Sequence, residues 1–273
     1  MNYINTLFKL NNKVAIITGG GGALASKMAE GLVKSGVIVV IIGRSLENLE
    51  EVSGKLSDFG TIRAMACDVL NRGQLEKVRD AVVGEFGSID ILINAAGGNM
   101  AGATIAPNQT IFDMDMSDFQ KVNELNLNGS VWPSLVFGET MAKQKRGTII
   151  NMSSMAADRV ITRVAGYSSS KAAITNFTKW MAVEMAQKFG DGIRVNAIAP
   201  GFFIGKQNKT LLLNDDGSLT DRGKTIIDNT PMKRFGEAGE LIGATLFLCS
   251  ESAQFLTGIV LPVDGGFSAF SGV

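Results

Sequence analysis

The 273-residue chain contains no histidine. That absence removes Ser-His-Asp hydrolysis, His-ligated zinc and histidine proton shuttles in one step. Acid–base chemistry is left to Tyr, Lys, Asp, Glu or Cys. Cysteine is scarce as well. Cys67 and Cys249 are the only two, both in apolar surroundings, which argues against a disulfide framework or a metal cluster. No metal site is expected, and buried thiols suit a reducing cytoplasm. An excess of charge of one sign is also missing: 26 Lys plus Arg balance 26 Asp plus Glu. Without a basic field, neither nucleic acid nor a membrane surface is an expected partner. The longest purely aliphatic run, Val37 to Ile42, falls far short of the ~20 residues that span a bilayer. The stretch Met1–Lys13 lacks the basic-then-apolar layout of a signal peptide. Apolar residues, in contrast, make up 45% of the chain against 19% charged, enough for a sizeable core.

Strand-like apolar runs recur at Val14–Thr18, Val37–Ile42, Thr61–Cys67, Ile89–Asn94, Thr148–Met152, Arg194–Ala199 and Ile259–Val263. Amphipathic stretches separate them: Leu24–Ser35, Leu46–Asp58, Gln74–Phe86, Ser117–Lys143, Ala165–Phe189 and Glu237–Ser250. The strands are apolar throughout rather than alternating, as expected when both sheet faces are covered. This β–α rhythm predicts one α/β domain over residues 1–273, a doubly wound parallel sheet of about seven strands with helices on both faces. The segment at about 202–230 breaks the rhythm. It carries the turn signal Asn214-Asp215-Asp216-Gly217-Ser218 and then a short polar helix candidate, and is read as a substrate loop insertion.

The run Thr18-Gly19-Gly20-Gly21-Gly22-Ala23-Leu24-Ala25 follows the first strand and opens a helix. Glycines there let backbone approach a pyrophosphate, and free N–H groups at a helix N-terminus attract its charge. The run resembles the TGxxxGxG turn of the short-chain dehydrogenase/reductase family, with Ala23 and Ala25 standing where that family usually has glycine. The resemblance implies a Rossmann-type fold with Thr18, Gly19, Gly22 and Leu24 at the dinucleotide. It also implies contacts from Asp68 and Val69 after the third strand, and from Asn94, Ala95 and Gly97, whose segment is similar to the family's NNAG. Pro200, Gly201 and Phe203 are expected beside the nicotinamide. The second strand ends Gly43-Arg44, with no acid to bind an NAD ribose and a guanidinium that suits a 2′-phosphate. NADP(H) is therefore expected to be favoured over NAD(H), although Arg44 could equally be a solvated turn residue.

Tyr167 and Lys171 stand at i and i+4 of a helix candidate, on one face with Cα atoms about 6 Å apart. A free phenol, with pKa ~10, is a poor base at neutral pH. A nearby ammonium should lower that value by roughly 1–3 units and make Tyr167 a general acid or base. The family resemblance supplies two further members. One is a serine thirteen positions before the tyrosine, here Ser154, with Ser153 adjacent; the other is an Asn in an NLxG segment, here Asn126, which would anchor a water relaying protons through Lys171. The reaction implied is hydride transfer between nicotinamide and a small carbonyl or hydroxyl compound, with Tyr167 and Lys171 also holding the cofactor.

Asn99, Arg163 and Gln207, with Ser154, are the candidate substrate contacts; polar groups with a cation suit a polyhydroxylated acid. Gly97-Gly98-Asn99, Gly201-Phe202-Phe203 and the insertion look like the sugar-acid branch of the family, which includes mannonate (fructuronate) oxidoreductases and gluconate 5-dehydrogenases. Resemblance also implies a homotetramer packed through Ser117–Lys143 and Ala165–Phe189. Three other readings stand beside this one: a 3-oxoacyl or other ketone reductase of the same family, an extended-type sugar epimerase, and a non-catalytic dinucleotide-sensing module. An enoyl reductase of the superfamily would place Tyr six positions before Lys, and position 165 is Ala.

Overall fold

Runs of Ile and Val, stiff at χ1 and apolar on both faces, build the sheet on which everything else is mounted. The computed structural model describes residues 3–205 and 208–272. Its strands are β1 (Val14–Thr18), β2 (Ile38–Gly43), β3 (Ile62–Ala66), β4 (Ile91–Asn94), β5 (Gly147–Met152), β6 (Ile193–Pro200) and β7 (Val260–Val263). They form one parallel seven-stranded sheet in the order β3-β2-β1-β4-β5-β6-β7. The chain reverses direction across the sheet between β1 and β4, which pair in the register Thr18 to Asn94. Such a switch point opens a crevice at the carboxyl ends of the strands.

The helices are α1 (Tyr3–Leu7), α2 (Ala23–Lys34), α3 (Leu46–Leu56), α4 (Arg72–Phe86), α5 (Met116–Asn123), α6 (Gly129–Gln144), α7 (Ala165–Phe189), α8 (Lys209–Leu212), α9 (Asp221–Asp228) and α10 (Leu241–Cys249). Strand alternation divides the core in two. Ala15 and Ile17 pack with α2, α3 and α10 on one face, whereas Val14 and Ile16 pack with α4, α6 and α7 on the other. Side-chain caps mark several helix starts: Asn71 accepts from Gln74 N at 3.0 Å before α4, and Thr220 from Gly223 N at 3.0 Å before α9.

The long helix expected over Ser117–Lys143 is interrupted. Between α5 and α6 lies a π turn, Glu124–Asn128. Its cause is local: Asn126 Nδ2 donates to the Val122 carbonyl at 2.8 Å, competing for the acceptor that an α-helical backbone N–H would use. Widened turns of this kind often mark functional positions. The segment after β6 holds the expected turn, with Asn214 N donating to Ser218 O at 2.8 Å and Gly217 at φ 83°; α8 and α9 flank it.

A buried polar line crosses beneath the site. Asn94 Nδ2 donates to Ser134 Oγ of α6 and to Asn151 Oδ1 of β5, both at 2.8 Å. Asn151 Nδ2 continues to Thr178 Oγ1 of α7 at 2.9 Å. Thr178→Val would strand the Asn151 amide in the core, so we expect a loss of ~1–3 kcal/mol in urea unfolding; an unchanged midpoint would contradict the network's role.

Candidate active site

The turn between β1 and α2 is shaped by close approaches. Gly19 has φ +66°, and a Cβ there would lie 2.8 Å from Ala96 Cα; a Cβ on Gly20 would lie 2.5 Å from Ile41 Cβ. Thr18, fully buried, accepts from Ala95 N and Ala96 N at 3.0 Å each and so ties the turn to the end of β4. Gly22 caps α2 with no side-chain hydrogen bond, leaving the helix's first N–H groups without a protein side-chain acceptor. This cradle of small residues before an uncapped N-terminus fits a dinucleotide pyrophosphate. Ala25, where the family has glycine, is buried in the core, so its methyl fills space between α2 and the sheet. Leu24 packs partly against the same core.

Around the crevice, Arg44 is exposed just past β2. The Asp68 carboxylate accepts from Leu70 N at 3.0 Å, and Val69 is buried where a Cβ on Gly129 would lie 3.1 Å from it. Two expected cofactor side chains are turned inward. Asn94 is 1% exposed and spends its amide on the polar line below the site. The Phe203 ring is 7% exposed and packs where a Cβ on Gly236 would lie 2.6 Å from Cε1. Asn94 thereby completes the buried polar line and Phe203 the hydrophobic core. Pro200 ends β6, and Gly201 N donates to Val263 O at 2.9 Å.

At the carboxyl ends of β4 and β5 four side chains converge. Ser154 caps a short turn by accepting from Ala156 N at 3.1 Å, and its hydroxyl is near enough to the Tyr167 phenol to counter part of the rise in that group's pKa. Its neighbour Ser153 points elsewhere, to Thr175 Oγ1 of α7 at 2.6 Å. Geometry thus separates two serines that sequence left adjacent. Lys171 Nζ lies 5.5 Å from the Tyr167 ring centroid and donates to the Met152 carbonyl at 2.7 Å. Asn126, on the π turn, clasps Gly98: Nδ2 donates to Gly98 O at 2.7 Å and Oδ1 accepts from Gly98 N at 3.1 Å. A Cβ on Gly97 would lie 2.6 Å from Asn126 Oδ1 and 3.5 Å from Lys171 Nζ. Only glycine leaves that corner open.

The electrostatics differ from expectation at the phenol. Burial raises the Tyr167 pKa, and the Ser154 hydroxyl offsets this only in part. Burial is the larger effect on the phenol as the chain stands, while the Lys171 ammonium, 5.5 Å from the ring, is bonded to the Met152 carbonyl. Burial also pulls Lys171 down from 10.5 to about 8. Cys67 and Cys249 are pushed up to about 11 and about 12 by burial, so neither thiol is a nucleophile near neutral pH.

The candidate substrate residues separate. Asn99 Nδ2 donates to Thr104 Oγ1 at 2.6 Å, while its buried Oδ1 has no partner among the described residues. Arg163, at φ 79°, donates through Nε to Ile105 O at 2.6 Å, which ties the strap before α7 to the loop after β4. Gln207 lies outside the described residues. Arg222 of α9, which no sequence motif signalled, reaches the same strap at Thr162, with Nη1 3.3 Å from Oγ1.

A seven-stranded dinucleotide sheet with Ser, Tyr, Lys and Asn gathered at its carboxyl edge defines a nicotinamide-dependent oxidoreductase. Comparison with known proteins agrees. A family model described as "Enoyl-(Acyl carrier protein) reductase" matches residues 21–268. An uncharacterized oxidoreductase, UxuB, of Bacillus subtilis (strain 168) is 46% identical over 97% of this chain and 98% of its own. A Haemophilus influenza crystal structure, provisionally named a D-mannonate oxidoreductase and holding bound NAD, is 43% identical with a TM-score of 0.90, covering 97% and 98% of the two chains. A gluconate 5-dehydrogenase from Burkholderia cenocepacia J2315, in complex with NADP and tartrate, is 28% identical with a TM-score of 0.88, covering 98% and 100%. The chain belongs to the short-chain dehydrogenase/reductase family and is an NAD(P)-dependent oxidoreductase acting on CH–OH groups.

Folding takes the Lys171 ammonium out of water, so its native pKa of about 8 lies below the unfolded 10.5. Below pH 8 this costs ~3 kcal/mol, and between the two values stability rises with pH because the unfolded chain binds more protons. Lys171→Met, even after losing the bond to Met152, should raise the thermal midpoint at pH 7 by roughly 2–6 °C, with the gain shrinking toward pH 10. A lowered midpoint at pH 7 would contradict the buried charge.

Proposed function

We propose that this enzyme interconverts a sugar-acid ketone and its alcohol, of the fructuronate/mannonate or keto-gluconate/gluconate class, with NADP(H) favoured over NAD(H). The observation that carries the reading is the buried Lys171 ammonium 5.5 Å from the Tyr167 ring, with Ser154 beside the phenol. When bound, the nicotinamide supplies or accepts the hydride. Ser154 and Tyr167 point two hydroxyls at one oxygen, hold the substrate carbonyl and polarise it. Tyr167, kept protonated by burial, gives its proton to the developing alkoxide. In the oxidising direction the same phenol must first lose that proton, and the Lys171 charge then stabilises the phenolate. Lys171 would also hold the nicotinamide ribose, while Asn126 fixes the Gly97–Gly98 backbone beside it and anchors the relay water.

The sugar-acid class draws support from the similar D-mannonate oxidoreductase and gluconate 5-dehydrogenase. The insertion after β6, carrying α8 and α9, serves in this reading as the substrate loop. Exposed apolar groups on the long helices, Leu135, Trp180 and Val183, support packing into a homotetramer. A cytoplasmic setting fits two free, buried thiols. The NADP(H) preference rests on Arg44, exposed and without an ion pair among the described residues.

Tyr167→Phe should bind cofactor almost as tightly as the parent, by fluorescence titration, yet reduce fructuronate and 5-ketogluconate at least 100-fold more slowly. Near-parental turnover refutes the assignment. Arg44→Ala should raise the Michaelis constant for NADPH about 10-fold or more and leave that for NADH within twofold; equal effects on both would remove the NADP(H) preference.

A further inference from the structure

A cavity of about 560 Å³ opens between the strap before α7, α9 and the C-terminal tail, with Arg159, Thr162, Phe202, Arg222, Phe267 and Phe270 in its wall. Its size falls in the range of small-molecule sites. Two features of its position tie it to the reaction. Arg159 and Thr162 belong to the strap that runs from Ser154 to Tyr167, and Phe202 directly follows Gly201 at the end of β6. Ser154, Tyr167 and Lys171 themselves are not in the wall; the cavity shares with them the strap between Ser154 and Tyr167 and the end of β6.

The charge in this wall is unbalanced. Arg222 is half-buried and holds the strap through Nη1 to Thr162 Oγ1 and Nη2 to Thr162 O, each at 3.3 Å. Arg159 donates to the Ser268 carbonyl of the tail. Neither guanidinium has a carboxylate partner among the described residues, and nor does Arg163, one residue beyond Thr162. The one acid in the wall, Asp221, is fully exposed and stands 3.9 Å from Lys224. Burial, and then the neighbouring Arg163 charge, lower the Arg222 pKa. A half-buried guanidinium beside another, with no counter-charge, is an unfavourable arrangement unless an anion completes it. The edge-on pair of Phe202 and Phe267, centroids 5.1 Å apart, gives the wall an apolar part beside the two guanidinium groups.

We infer that Arg222, assisted by Arg159 and Arg163, anchors the carboxylate of the substrate and selects acids over uncharged polyols and ketoses. The inference rests on the sugar-acid reading above and adds the residue that enforces it. Arg222 touches no reacting atom; it is a specificity residue that holds the far end of the substrate while Ser154 and Tyr167 hold the carbonyl.

The test compares the parent enzyme, Arg222→Gln and Arg222→Lys on D-fructuronate and D-fructose with saturating reduced cofactor, after thermal melts establish that each variant is folded. Arg222→Gln should lower kcat/KM for fructuronate about 10–100-fold, chiefly through KM, and leave kcat/KM for fructose within twofold. Arg222→Lys, which keeps the charge without the planar fork, should fall between. Equal losses on acid and ketose would reduce Arg222 to a support for the strap and overturn the inference. An unchanged KM for fructuronate would overturn it too, leaving the sugar-acid reading intact. A parent enzyme that reduces neither fructuronate nor 5-ketogluconate would instead sink the sugar-acid reading, and the anchor with it.

Discussion

One buried ammonium organises the candidate active site. Lys171 Nζ sits under the end of β5, bonded to the Met152 carbonyl at 2.7 Å, and burial alone brings its pKa to about 8. A charge held there costs stability, and the surrounding residues are arranged around keeping it. Gly97 has no side chain because a Cβ would meet Asn126 and come within 3.5 Å of the ammonium. Asn126 reaches that position because α5 widens into a π turn before α6. Four residues earlier on α7, Tyr167 lies one helical turn from the charge, with Ser154 beside its phenol.

The two helices that carry this machinery are tied through the sheet. Ser134 of α6, Asn94 of β4, Asn151 of β5 and Thr178 of α7 form one continuous run of buried hydrogen bonds. An apolar core would hold the helices against the sheet without fixing their rotation. Directional bonds fix it, at the cost of burying polar groups that must all find partners. The free Oδ1 of Asn94 is the one lapse in this run.

Much of this arrangement was legible in the residues. Predominantly apolar runs located all seven strands within about two residues at their ends, and α7 coincides with its expected span Ala165–Phe189. The Tyr167–Lys171 spacing needed only helical periodicity to be read. What escaped depended on contacts distant in sequence. Asn94 and Phe203 border the crevice, but their side chains turn inward: Asn94 from β4 into the buried polar line, Phe203 from the loop after β6 against Gly236. The π turn was hidden because Asn126 competes for a backbone acceptor, and composition carries no trace of that. Arg222 sits in an irregular insertion, and only the fold brings it to Thr162. Spacing put the phenol beside the ammonium, but it gave no sign that burial would raise the Tyr167 pKa.

The proposed activity requires direct hydride transfer to a carbonyl carbon held by Ser154 and Tyr167. The most direct measurement uses reduced cofactor carrying deuterium at the transferring position of the nicotinamide, with fructuronate as acceptor and mass spectrometry of the product acid. Transfer of one deuterium to a carbon-bound, non-exchanging position is the predicted result. Oxidation of the cofactor with a product free of carbon-bound deuterium would contradict it.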